Sequence, residues 1–505
     1  MLSKALCFGI AGLDAYPITI EADVSPGLPG FTIVGLPDSA VRESRERVRA
    51  ALKNSGFSFP GGRITINLSP ADTKKEGPAF DVAIALSILA ASEQAPAHLL
   101  LPYAFLGELS LDGSVLPING TLAFALAADP AYCQGLLVPA ANATEAAMAQ
   151  RTAVYPVRHL KEIVHFLADP SSIRPAAAAA APVFHAVSSL DFSDVKGNAY
   201  VKRGLEVAAA GGHNVILIGP PGSGKTMLAK RLGGILPSMS LQEALEVTKI
   251  HSVVGLLKNS GIAEQRPFRS PHHTCSDISL IGGGSHPKPG EVSLAHNGIL
   301  FLDELPEFDR HVLEVLRQPL EDHSVTVARA SRTLKFPARF LLVAAMNPCP
   351  CGWRMGGKRP CSCSELQVER YLSKISGPLL DRIDIHLPVP ALKTAELFAS
   401  SEAESSTAIR KRTEASRAIQ RQRLQGEGLI SNAQMSGRLL KKHCPLNDEC
   451  KHLLKQAVET LGLSGRGHDK ILKVARTVSD LEGNEDILLQ HIAEAIGYRT
   501  LDRIK

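Results

Sequence analysis

Gly219, Pro220, Pro221, Gly222, Ser223, Gly224, Lys225 and Thr226 spell GPPGSGKT, and the reading of this octet decides the fold. It meets the pattern G-x-x-x-x-G-K-[ST] at each fixed position. The run before it, NVILI (214–218), is apolar enough for a buried strand, and TMLAKRLGGIL after it reads as a helix. Between a strand and a helix, such glycines let backbone N–H groups turn inward around phosphate oxygens. The helix N-terminus adds partial positive charge. Lys225 is then placed to reach the β- and γ-phosphates of a nucleotide, and the Thr226 hydroxyl to bind Mg²⁺. The octet therefore predicts ATP and Mg²⁺ as cofactors.

Further along, GILFLDEL (298–305) sets two carboxylates at the end of another apolar run. Asp303 is expected to hold Mg²⁺ through water and Glu304 to polarise the attacking water. RFLLVAAMNP ends at Asn347, which either positions the lytic water or caps the turn before Pro348. SGPLLDRIDIH holds Arg382, which either reaches a neighbouring subunit's γ-phosphate or pairs with Asp381 or Asp384. LSGRGHDKILKVARTV offers Arg466, with Lys473 and Arg476 on nearby turns.

Apolar strands alternating with helices from about residue 190 predict an α/β core, a parallel sheet covered on both faces, over 190–395. Strand signals vanish after that, so 396–505 reads as a separate helical domain. Residues 1–168 mix short strands, punctuated by Gly and Pro, with two helices. DSAVRESRERVRAALKNSG has apolar residues at Val41, Val48, Ala51 and Leu52 between charges, and FDVAIALSILAASEQ is apolar throughout. The proline-flanked alanine run PSSIRPAAAAAAPVF falls in a linker, 169–189.

At 505 residues the chain is long enough for two to four domains. A net charge of +5 permits nucleic-acid binding without arguing for it. The N-terminus lacks the pattern of a secretory signal, and no run of apolar residues is long enough for a membrane span, so the expectation is a cytoplasmic protein. Its nine cysteines then read as reduced thiols. Four of them, Cys349, Cys351, Cys361 and Cys363, lie as C-x-C-x9-C-x-C in a loop over 347–363. Two close pairs can wrap one tetrahedral Zn²⁺; an iron–sulfur cluster and unliganded thiols are the alternatives. Between the pairs stand Trp353, Arg354, Lys358 and Arg359, an aromatic and three cations suited to stacking on and gripping nucleic acid.

Together GPPGSGKT, GILFLDEL, MNP and GPLLDRIDIH resemble the AAA+ ATPases. The fuller stretches resemble the magnesium-chelatase-like branch, and within it the YifB/ComM family. These are GLPDSAVRESRERVRAAL, RITINLSPADTKKEGPAFDVAIAL, FRSPHHTCSDISLIGGG, PGEVSLAHNGILFLDELPEF and VTVARASRTLKFPARFLLVAAMNPCPCG. The resemblance implies a P-loop core with a helical lid, and a homo-oligomeric ring, a hexamer, with ATP between neighbours. It implies Arg382 as an arginine finger acting in trans and Arg466 as the sensor arginine of the lid, with Arg476 as runner-up. The N-terminal block resembles the α+β proteolytic domain of Lon. There a serine nucleophile follows a K-D-G-P-like turn, but Lys75-Glu76-Gly77-Pro78 is followed by Ala79, and Ser69 is out of register. Alanine cannot form an acyl-enzyme.

VTVARASRTLKFPARF (325–340) reads as a hairpin with a basic tip at Arg329 and Arg332; the resemblance implies that this tip points into the pore and would track a phosphate backbone, and a solvated turn is the alternative. The expectation is an ATP-driven DNA motor, a helicase or branch-migration translocase acting in recombination and natural transformation. An unfoldase or a metal-chelatase-type remodelling ATPase is the alternative. FRSPHHTCSDISLIGGGSHPKPGE (268–291) reads as a loop rather than a metal site, at a place where the resemblance implies a second pore element, and the helix carrying Arg410, Lys411, Arg412, Arg417, Arg421 and Arg423 reads as a solvated charged face, with a DNA contact as the alternative.

Overall fold

The computed structural model describes residues 1–177, 190–257, 261–284, 287–328, 333–354, 359–391 and 404–499. Arg329, Arg332 and Lys358 lie outside the described residues, as do the second half of the expected linker and the expected junction between core and lid.

The fold is mixed α/β, in two compact units. The first comprises Met1–Val183 and Leu241–Ala263. Its sheet has seven strands, in the order Gly30–Val34, Arg63–Ser69, Asp14–Ser25, Leu2–Ala11, Tyr103–Phe105, Gly135–Pro139, Ala153–Val157. The long pair Leu2–Ala11 and Asp14–Ser25 is antiparallel, and the strands beyond Leu2–Ala11 run parallel to it and to one another. Helix Asp81–Ala91 is buried at every residue, which is why its sequence shows no polar face. Helix Ser39–Asn54 buries Val41, Val48, Ala51 and Leu52, the stripe read from its periodicity, and is capped by Asp38, which accepts from Val41 N at 2.8 Å. Lys75 is fully buried and donates to the Pro70 carbonyl.

Helix Leu241–Val253 belongs to this first unit although its sequence lies beyond the phosphate-binding octet. Ser252 ties it there: its hydroxyl donates to Glu145 at 2.5 Å and accepts from Gly120 N at 2.9 Å. The Lys249 ammonium meets Asp14 at 2.7 Å.

The second unit comprises Phe184–Ser240 and Glu264–Lys505. Five parallel strands lie in the order Phe268–Arg269, Ile299–Leu302, Leu341–Met346, Val215–Ile218, Ile385–Pro388. The three central ones are buried at every position, as strands covered on both faces must be. The region beyond is helical: Ser406–Arg423, Gly437–His443, Asp448–Leu461, Gly465–Leu481 and Leu489–Gly497. The strands of the expected hairpin, Ser324–Ala328 and Thr333–Pro337, pair antiparallel. No helix among the described residues is long and apolar enough to cross a membrane.

The arginine-rich helix Ser406–Arg423 departs from the solvated face expected of it. Arg417 is buried and donates to the carbonyls of Ala209 and Ala210, each at 3.0 Å, at the C-terminal end of helix Ala199–Gly211. Carbonyls left free at a helix end attract cations. Arg423 pairs with Asp480, and Arg412 with Glu206 and Glu404. These three arginines hold the helices together.

Candidate nucleotide and metal site

The octet turns between strand Val215–Ile218 and helix Lys225–Arg231. Gly222 (φ +77°) and Gly224 (φ +90°) occupy left-handed backbone that other residues rarely adopt. A Cβ on Gly219 would stand 2.1 Å from the Val389 carbonyl oxygen, so the turn can pass there only as glycine. Lys225 Nζ lies inside the turn, donating to the carbonyls of Gly219 at 2.8 Å and Pro220 at 3.0 Å and to Asn347 Oδ1 at 3.2 Å. Burial pulls its pKa below the usual lysine range, and Asp303 and Glu304 partly offset that. The buried Ser223 hydroxyl has no partner among the described residues.

Thr226 Oγ1 donates to Asp303 Oδ2 at 2.7 Å. The strand tips therefore converge as neighbours in one sheet: Val215–Ile218 leads into the loop, Ile299–Leu302 into Asp303 and Glu304, and Leu341–Met346 into Asn347. A hydroxyl and a carboxylate side by side are the hard oxygen donors that Mg²⁺ selects. The inward glycine turn and the unpartnered Ser223 hydroxyl fit a phosphate chain. When bound, Mg²⁺ would neutralise phosphate charge; the chain's own part is to fix the donors.

Glu304 has φ +52°, rare for a residue with a side chain, and its side chain is 59% exposed. One of its neighbours, a histidine, was not foreseen. His273 Nδ1 stands 3.7 Å from Glu304 Oε2, with its ring stacked on His272 at 4.1 Å. The loop FRSPHHTCSD reaches this place because strand Phe268–Arg269 pairs beside Ile299–Leu302. The order of strands in the sheet was the missing signal.

Arg382 does not pair with Asp381 or Asp384. It folds against its own subunit, donating to the Pro378 carbonyl and to Glu321, while its buried Nε has no partner among the described residues. Arg466 Nη2 lies 3.5 Å from the same Glu321 carboxylate and its side chain is 61% exposed. Arg476 is 2% exposed and is held by Asp480, Ser479 and the carbonyls of Asn484 and Glu485. It is a structural pin within the helical region, and Lys473 donates to the Ala433 carbonyl.

The four cysteine sulfurs lie within 4.8 Å of one another. Cys349 to Cys351 is 3.4 Å, Cys349 to Cys361 is 3.7 Å, and Cys351 to Cys361 is 3.6 Å. These separations are too long for disulfides. Tetrahedral zinc with Zn–S of about 2.3 Å sets the sulfurs about 3.8 Å apart. The cluster fits that ion, and no other group of three or more His, Cys, Asp or Glu among the described residues does. The Cys351 thiol is drawn down to about 6 by backbone N–H groups of Trp353 and Ser362. Arg354 is engaged with Glu365 at 2.7 Å, Arg359 is exposed, and Trp353 is half-buried.

The cysteine loop also touches the nucleotide cradle. A Cβ on Gly352 (φ +83°) would stand 2.5 Å from Pro221 Cδ. Tyr371, just past the cluster, is buried, and burial pushes its hydroxyl up to about 12.

Along its whole length the chain is similar to protein YifB of Salmonella typhimurium and competence protein ComM of Haemophilus influenzae. The first is 45% identical over 98% of this chain and 96% of that protein, the second 44% over 100% and 99%. The chain belongs to the YifB/ComM family of magnesium-chelatase-like proteins. Three family models agree: "Magnesium chelatase, subunit ChlI" over 191–397, "Subunit ChlI of Mg-chelatase" over 20–142, and "Magnesium chelatase, subunit ChlI C-terminal" over 403–499. The magnesium-chelatase subunit ChlI of Cyanophora paradoxa is 24% identical over 56% of this chain and 80% of that protein. Membership of this AAA+ ATPase family implies ATP hydrolysis, with ATP and Mg²⁺ as cofactors.

Proposed function

We propose that the chain is an ATP-driven ring motor that acts on DNA in the cytoplasm, unwinding or branch-migrating it during recombination and natural transformation. The observation that carries the ATPase half is the convergence of Lys225, Thr226, Asp303 and Asn347 on one glycine turn. Lys225 and the loop amides hold the phosphates, Thr226 and Asp303 hold Mg²⁺, Glu304 polarises water, and Asn347 positions it. Arg382, from the neighbouring protomer of a hexamer, stabilises the transition-state charge; Arg466 senses the nucleotide from the lid. The DNA half leans on the relative named as a competence protein. Arg329, Arg332, Trp353, Arg354, Lys358 and Arg359 are the proposed contacts. The cysteine loop holds structural zinc. The N-terminal unit, with Ala79 where a Lon-like peptidase has its nucleophile, serves assembly or substrate capture.

The test is ATP-dependent unwinding of a forked DNA, with Lys225→Ala as control. Unwinding by the wild type alone is the expected result. ATP turnover that DNA leaves unchanged, with no unwinding, favours a remodelling ATPase acting on protein. That second reading draws on the family models, which describe a chelatase subunit.

A further inference from the structure

The peptide that carries Arg382 is gripped from outside by three side chains. Asn214 Nδ2 donates to the Arg382 carbonyl at 3.0 Å. Lys470 Nζ and Arg499 Nη1 donate to the Ile383 carbonyl at 3.0 and 2.9 Å, and Arg499 reaches the Asp384 carbonyl at 3.4 Å. The Asp384 carboxylate closes the cluster. It accepts from Asn214 N at 3.1 Å, and it faces Lys470 at 3.3 Å and His213 at 3.6 Å.

Lys470 is 9% exposed. A cation that buried persists only where acceptors compensate its lost hydration, and here the acceptors are Ile383 O and Asp384. Its helix, Gly465–Leu481, bears Arg466 one turn earlier. Residues four apart share a helix face, so both cations point at the same region. Arg466 and Arg382 also meet on Glu321. The helix that presents Arg466 is therefore bonded directly to the root of Arg382.

We propose that Lys470, through Ile383 and Asp384, positions the turn that carries Arg382, so that the helix presenting Arg466 also sets the arginine delivered to the neighbour. This rests on the reading that Arg382 acts between subunits. A rigid-body shift of the helix moves both arginines together, and loss of the Lys470 bonds loosens the Arg382 turn, leaving it to Asn214 and Arg499.

The test separates a misplaced finger from a damaged subunit. Lys470→Met is expected to lower ATP turnover about 10²-fold, the cost of a displacement near 1 Å in a catalytic group. ATP affinity and ring size should stay at wild-type values, and Lys470→Arg should recover most turnover. Mixed with Glu304→Gln subunits, which are inactive but carry an intact Arg382, Lys470→Met should regain turnover, because its own site is served by the neighbour's finger. Arg382→Ala mixed with Glu304→Gln is the control. Wild-type turnover by Lys470→Met alone overturns the proposal. So does an inactive Lys470→Met mixture beside an active control. If both mixtures are inactive, Arg382 does not act between subunits, and the proposal falls with that reading. Should Lys470→Met fail to fold, Asp384→Asn carries the same comparison.

Discussion

Glu304 and Asp384 are two acids held in opposite ways. Glu304 is solvent-facing on left-handed backbone, a conformation costing about 1–2 kcal/mol for a residue with a Cβ, and strain of this kind clusters at working sites. Asp384 is 8% exposed. Burial alone would raise its pKa, but Lys470 first, then His213 and Lys473, outweigh it and hold the carboxyl well below the usual carboxylate range. A depressed folded-state value means that the stabilisation is complete above the unfolded pKa of about 3.9 and is lost as pH falls below it. Asp384→Asn, which leaves Lys470 without its charge partner, should cost about 3–5 kcal/mol at neutral pH. The gap in thermal midpoint between wild type and variant should narrow as pH falls below about 4. A gap that widens toward acid would show that Asp384 is not ionised in the native protein.

At the scale of elements, the cysteine loop and the phosphate loop are packed as one piece through Gly352 and Pro221, with Asn347 leading directly into the loop. A closed metal site in such a loop contributes on the order of 10 kcal/mol to holding it. Cys349→Ser should therefore lose the metal and also weaken ATP binding, read by metal analysis and nucleotide titration on the same sample. Full ATP affinity in a metal-free variant would show the two loops to be independent. The strands around this site were legible from sequence because burial on both faces forces continuous apolar runs such as NVILI and ILFL. The glycine turn was legible because few other residues tolerate its backbone. The partners of charged residues were not. Arg417 reads as solvated until the carbonyls of Ala209 and Ala210 are seen to receive it, and the alternative weighed against a finger role for Arg382, a pair with Asp381 or Asp384, did not point to Glu321. His273 was hidden for the same reason: sequence order does not disclose which loop ends beside which strand.

Across the whole molecule, the chain enters the first unit, leaves it, returns for Leu241–Ala263 and leaves again. Neither unit is a single stretch of sequence, and nothing in LQEALEVTKIHSV announces which one it joins. A fragment ending at residue 183 lacks Ser252, so the buried Glu145 loses a hydrogen-bond donor and Gly120 N an acceptor. An unmet buried group costs about 1–3 kcal/mol. That fragment should melt at a lower temperature than one in which residues 241–263 are rejoined to it by a flexible tether, as scanning calorimetry would reveal; equal midpoints would make the returning helix dispensable. The detour also has a consequence for birth on the ribosome. The N-terminal unit cannot be completed when its own last strand emerges, since its missing helix is still about eighty residues away. At about 5–20 residues per second, that is a wait of about 4–16 s. During it the glycine turn and its strand are made and exposed while the sheet they belong to is still unwritten.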